Sequence, residues 1–212
     1  MRVGLTQRVE DLPGIGERRD CLDQRWSLLL EDIGAAAIPL PNLHRVDAAY
    51  LDRIGIDAVI LTGGNDIAAL PGSTKPAPER DAFEKGLLDY CAARRLPVLG
   101  ICRGMQFMQH VSGGPLVRVE GHVATEHRLI WAPAPPLDPA PEVVNSYHDY
   151  ALPRSGLAAD FNELAWTEDG TVEAFRHKTL PWIGIMWHPE RETNPNLAVR
   201  QWMARHLGKS GT

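Results

Sequence analysis

The chain has 212 residues, 44% of them hydrophobic and 23% charged, with 22 Lys and Arg against 27 Asp and Glu for a formal net charge of −5. Such a composition describes one globular domain, residues 1–212, whose mixed, mildly acidic charge offers no basic stripe for nucleic acid. No apolar run approaches the roughly 18–20 residues of a membrane helix, and the opening MRVGLTQRVE has no secretory apolar core, so the sequence reads as cytoplasmic with no membrane partner.

From the N-terminus, short apolar runs rich in β-branched residues recur at residues 3–6, 36–40, 58–62 and 97–101, each reading as a strand buried on both faces. Between them, residues 21–34 carry Leu22, Trp26, Leu29, Leu30 and Ile33 at helical spacing. Residues 79–95 carry Phe83, Leu87, Leu88, Tyr90 and Cys91 in the same way. Strand and helix in alternation require right-handed crossovers, which predicts an α/β fold: a doubly wound, mostly parallel sheet flanked by helices. Beyond a strand at 128–131 the pattern changes, and Pro133, Pro135, Pro136, Pro139 and Pro141 predict a loop with little regular structure. Residues 163–167, 171–176 and 182–186 read as strands, the first two joined by a hairpin turn at Glu168-Asp169-Gly170, a small antiparallel addition. A helix over 196–207 closes the domain, and 208–212 is expected to fray.

Three cysteines, Cys21, Cys91 and Cys102, are scattered without CxxC spacing, which argues against a disulfide framework and a zinc site. Cys21 and Cys91 fall on apolar faces of predicted helices and read as buried small residues. Cys102 differs. It directly follows the strand at 97–101, and in an open parallel sheet reactive groups collect beyond the carboxyl ends of strands. Gly100 and Gly104 flank it as G-x-C-x-G, the thiol counterpart of a serine elbow, in which a sharp strand-to-helix turn leaves no room for Cβ atoms. The first turn of the following helix favours a thiolate, and the amide of Arg103 is placed to donate to an oxyanion.

A nucleophilic cysteine needs a base, and the base an orienting group. Among eight histidines, His188 follows the apolar run 183–187, with Glu190 two residues on and Pro189 stiffening the turn. A carboxylate that close fixes the tautomer and leaves the other ring nitrogen for the thiol. In LTGGNDI, Gly63 and Gly64 follow the strand at 58–62 and supply a second oxyanion donor; neither GxGxxG nor GxxxxGK[ST] is present to suggest a nucleotide loop. His148 ends the strand-like run VVNSYH and is a pocket-lining candidate. His110 reads as structural, and His44, His177 and His206 have no companions. His122 and His127 lie five apart in GHVATEHR, but no third ligand has a matching position, so no metal is expected.

With GICRGMQ, LTGG and HPE in this family's arrangement along an α/β chain, the sequence resembles the class I glutamine amidotransferase superfamily over nearly its whole length. The resemblance implies a triad of Cys102, His188 and Glu190, an oxyanion hole from amides near Gly64 and Arg103, and recognition of a glutamyl group without a cofactor. It implies further that Gln106 and the segment Asn145-Ser146-Tyr147-His148 hold the substrate, with Gly63 beside them. Within the superfamily, GLTQR, LTGGNDI and VNSYHDY are similar to segments of the stand-alone γ-glutamyl hydrolases of the C26 peptidase branch. ERRDCLDQRW and GHVATEHR look like those of hydrolases acting on a γ-glutamyl cytidine-diphosphate amidate. A short loop from 71 to 78 departs from the polyamine-degrading relatives, which puts an aminobutyrate substrate in doubt.

Arg8, Arg18 and Arg19 are then placed in a loop after the first strand, where arginine forks suit a phosphate-bearing leaving group. The expected partner is a small γ-glutamyl molecule; pairing of two copies is left open. Two rivals remain at this level: the glutaminase component of an amidotransferase that passes ammonia to a synthase, and an amidotransferase-like module that binds without catalysis.

Overall fold

Val3, Leu5, all four residues of 58–61, and Val98, Leu99 and Ile101 have no solvent exposure, as continuous apolar runs in a covered parallel sheet should. The structure, a computed structural model, describes residues 1–43, 45–192 and 196–208. Its first half runs β1 (Arg2–Leu5), β2 (Arg8–Leu12), β3 (Glu17–Cys21), α1 (Arg25–Asp32), β4 (Ala36–Pro39), α2 (Ala48–Ile54), β5 (Ala58–Leu61), α3 (Pro78–Arg94), β6 (Val98–Ile101) and α4 (Arg103–Val111). The second half adds β7 (Val117–Arg118), β8 (Val123–Arg128), β9 (Ile130–Trp131), β10 (Val143–Tyr147), β11 (Tyr150–Pro153), β12 (Phe161–Trp166), β13 (Thr171–His177), β14 (Trp182–Ile185) and α5 (Leu197–Leu207).

The main sheet has the order β4-β1-β5-β6-β14-β13-β11-β7, with β12 and β9 branching from β13. The five strands from β4 to β14 are mutually parallel, and the pairings from β13 onward are antiparallel. This is the doubly wound core with its antiparallel addition. Register decides what happens at its edge: Leu61 pairs with Gly100 and Ile185 with Ile101, so β5, β6 and β14 end side by side. Residues one to three positions past those ends, Gly63, Cys102 and His188, therefore emerge at one place.

Several local readings change. The helix expected from residue 21 begins at Arg25, because 17–21 pairs with Arg8–Leu12 in an antiparallel ribbon, Arg8 opposite Cys21. A turn over Pro13-Gly14-Ile15-Gly16, with Gly16 at φ 69°, makes the reversal feasible. Cys21 is thus a half-buried ribbon residue, not one on an apolar helix face. The run at 36–40 is half-exposed over most of β4, because β4 is the sheet edge. Helix α2 is an addition to the elements read from the sequence; its signals are Asp47, whose side chain accepts from the Ala49 amide at 2.9 Å, and Gly55 at φ 66°. The proline-rich stretch is irregular, and the 168–170 turn joins β12 to β13. Residues 209–212 and His44, both subjects of sequence expectations, lie outside the described residues.

Candidate active site

Cys102 sits between β6 and α4 with φ 50° and ψ −106°, a conformation that non-glycine residues avoid and that costs roughly 1–3 kcal/mol. Its neighbours explain how the turn holds. A Cβ on Gly104 would lie 2.1 Å from the Leu61 carbonyl oxygen, and one on Gly100 would lie 2.6 Å from the Met108 sulfur and 2.8 Å from the Met105 nitrogen. Only glycine lets α4 start this close to β5. The Cys102 amide donates to the Ile185 carbonyl at 2.8 Å, tying the elbow to β14 and to the turn that carries the imidazole.

His188 and Glu190 are both buried, and Nδ1 of the imidazole lies 2.7 Å from Glu190 Oε1. That leaves Nε2 free for the thiol of Cys102, whose ionisation is coupled to that of the imidazole. Burial pushes the Cys102 thiol up, but the charge of His188 and its hydrogen bond, helped by His148 and Arg191, outweigh this and hold the thiol below its ordinary value. Burial lowers His188 in turn. Cys102 and Glu190 more than offset it, raising the imidazolium to about 9. The arrangement favours negative charge on the sulfur and positive charge on an imidazole steadied by a carboxylate.

The LTGG turn closes the other side. A Cβ on Gly63 would stand 2.7 Å from His188 Cε1 and 3.7 Å from Cys102 Cβ. Behind the turn, the fully buried Arg80 donates to the carbonyls of Thr62 at 2.6 Å, Gly63 at 3.1 Å and Gly64 at 2.6 Å. In a trans peptide the N–H opposes the C=O, so the Gly64 amide points away from Arg80. Arg80 also binds Glu84 at 2.8 Å, and Glu84 and Asp81 bind the Arg103 guanidinium. Burial and the adjacent Arg103 charge hold Arg80 down at about 10, and Arg103 and Arg80 keep the buried Glu84 below the usual carboxylate range against the penalty of burial. Sequence reasoning missed Arg80 and Glu84. Their i,i+4 spacing on α3 was visible, but their burial was not.

The other expected site residues are distributed unevenly. Asn145 clamps the His188 backbone, accepting from its amide and donating to its carbonyl, both at 2.9 Å. Ser146 Oγ donates to the His122 carbonyl at 2.6 Å and is buried. Tyr147 is exposed and meets the His188 ring edge-on at 5.7 Å between centroids, with Arg191 over its own face. Gln106 donates through Nε2 to the Tyr150 carbonyl at 2.8 Å. Arg8 lies against Gly64 and lines the cleft with Cys21, Trp26, His188 and Arg191. The loop expected around the arginines is the β2–β3 ribbon, where Arg18 binds Glu79 and Arg19 pairs with Glu17. His148 is buried and lies with His122, His127 and Glu173. The expectation that His122 and His127 lack further donors is thereby corrected: the fold brings two from segments distant in sequence.

Comparison with known proteins agrees with this fold. The chain is 33% identical over 207 residues to gamma-glutamyl-CDP-amidate hydrolase of Campylobacter jejuni, covering 96% of this chain and 98% of that one. It is 32% identical over 176 residues to protein NtpR of Enterococcus hirae, covering 70% and 72%. Among solved structures, a putative GMP synthase protein of Thermoplasma acidophilum superposes with a TM-score of 0.71 at 21% identity, covering 98% of this chain and 92% of that one. A glutamine amidotransferase of Thermotoga maritima gives 0.68 at 17% identity, covering 97% of each. The fold is that of the class I glutamine amidotransferases. The model of the Peptidase C26 family matches residues 3–190, and the chain belongs to that family.

Proposed function

We propose that the protein is a cysteine-dependent hydrolase of γ-glutamyl amides, with Cys102 as nucleophile, His188 as acid and base, and Glu190 orienting the imidazole. The observation that carries this reading is the elbow at Cys102, strained at φ 50° and set beside Gly63 together with an imidazole whose Nδ1 is held at 2.7 Å by Glu190. The Cys102 thiolate attacks the γ-carbonyl, and the amides of Gly64 and Arg103 receive the oxyanion. The C–N bond breaks as the imidazolium gives its proton to the departing nitrogen, leaving a glutamyl thioester. Neutral His188 then takes a proton from water, hydroxide adds to the thioester, and glutamate leaves with the thiolate–imidazolium pair restored.

For the leaving group, a phosphoramidate of the kind named for the Campylobacter relative is favoured. A groove of about 500 Å³ adjoins Gly64 and is lined by Arg8, Arg18 and Lys75 beside Glu10 and Asp11. Arg8 is paired with Glu10 and Arg18 with Glu79 and Asp11, so a phosphate-bearing group there would meet the Lys75 ammonium and guanidinium groups it must share with those carboxylates. The experiment is glutamate release by the purified protein from glutamine, γ-glutamyl-aminobutyrate, γ-glutamyl polyamines and γ-glutamyl phosphoramidates. Turnover of a phosphoramidate well above the rest is expected. Weak glutaminase activity alone, rising only with a synthase, would make it the glutaminase component of an amidotransferase instead.

A further inference from the structure

The ribbon of β8 and β10 lies over the catalytic imidazole yet buries little: β8 has no buried residue and β10 only Val144 and Ser146, while Val123, Val143 and Tyr147 are exposed. Apolar burial does not hold such a ribbon in place. On its inner side His122, His127 and His148 converge with Glu173 of β13, each offering a ligand atom within 4.8 Å of the others. His122, His148 and Glu173 are 5%, 3% and 0% exposed. The polar atoms there that make no hydrogen bond are His122 Nδ1, His127 Nε2, His148 Nε2 and both carboxylate oxygens of Glu173. Among the four side chains themselves, His148 Nε2 and Glu173 Oε1 approach to 3.5 Å. A buried carboxylate with neither oxygen satisfied is costly, and so is each orphaned ring nitrogen.

We propose that this cluster is a zinc-class divalent metal site, with His122 Nδ1, His127 Nε2, His148 Nε2 and a Glu173 oxygen as its four ligands. Three imidazoles and one carboxylate are a nitrogen-rich set that suits Zn²⁺ and its first-row neighbours and not Ca²⁺ or Mg²⁺. The outer contacts agree. His122 Nε2 lies 2.8 Å from Asp169 Oδ2, and His148 Nδ1 lies 3.0 Å from the Tyr150 carbonyl, so each of these two rings has its far nitrogen anchored and its near one free for a metal. Asp169 is itself fixed by Thr167 and Thr171. Tetrahedral Zn–N bonds place donors about 3.3 Å apart, so ring and carboxylate shifts of about 1.5 Å at the widest pair close the site.

With four protein ligands the metal is structural. It staples the ribbon to β13, and Asn145 of the same ribbon then holds the His188 backbone. The inference is independent of the substrate assigned above.

The test is metal content and cobalt spectroscopy on the full chain. Protein made in zinc-supplemented medium and passed through gel filtration should carry about one zinc per chain. The Cys102→Ser variant should carry the same, separating this site from the thiol. After chelation, added Co²⁺ should give visible ligand-field bands of a four-coordinate site without sulfur charge-transfer absorption. Glu173→Gln and the more exposed His127→Ala should weaken Co²⁺ binding by roughly 100-fold or more, and Zn²⁺ should raise the melting temperature of the chelated parent alone. Zinc-free protein that also fails to take up Co²⁺ would overturn the proposal and leave a cluster held by protons. So would cobalt whose spectrum shows sulfur ligation lost in Cys102→Ser.

Discussion

Gly63 and His188 touch across the cleft so closely that a methyl on the glycine would stand 2.7 Å from the imidazole Cε1. The neighbour that must yield is the side chain on which Cys102 depends. Gly63→Ala is therefore expected to lower kcat by about 100-fold through displacement of the base, with the urea midpoint close to the parent's. Activity within a few-fold of the parent would show that the ring has another place to sit.

The thiolate–imidazolium pair has a pH signature. The Cys102 thiol is held below its ordinary value and the imidazolium is raised to about 9, so the thiol gives up its proton while His188 still carries one, and the ion pair persists until His188 loses its proton. Iodoacetamide alkylation of Cys102 should reach its plateau at a lower pH than an ordinary cysteine thiol does, with a second change only near pH 9, where His188 loses its proton. In His188→Ala burial remains and the opposing charge is gone, so the thiol moves up. Alkylation at pH 7 should fall by roughly tenfold or more, each pH unit of displacement being tenfold in thiolate. An unchanged rate profile would remove His188 as the partner.

Behind the site, Glu84 lies between Arg80 and Arg103, all three buried. Removing the anion leaves two buried guanidinium groups short of a counter-charge. Glu84→Gln should destabilise the protein by roughly 3–5 kcal/mol in urea unfolding. A loss below about 1 kcal/mol would mean that Asp81 alone satisfies the pair.

The parallel core was legible because its evidence is local: short β-branched runs and i,i+3/i+4 apolar spacing are set by covalent geometry and burial. The elbow, the LTGG turn and the HPE triplet were legible for a related reason, since each is a few consecutive residues at a strand end. What escaped was non-local. The β2–β3 ribbon is largely exposed and carries ERRDC, a stretch without apolar alternation, so only its Pro13-Gly14 turn announces it. Asn145 could be seen as polar and near a strand end, but not as the residue that grips the His188 backbone. The pairing of His122 and His127 with His148 and Glu173 depends on how β8, β10 and β13 meet, which no spacing along the chain encodes.

The most direct test of the central claim is to quench the enzyme in acid during turnover of a γ-glutamyl amide and map the adduct by mass spectrometry. A glutamyl group on the Cys102 peptide, absent from Cys102→Ala that remains folded but releases no glutamate, is the predicted result. Glutamate release by Cys102→Ala at the parent's rate would contradict the account.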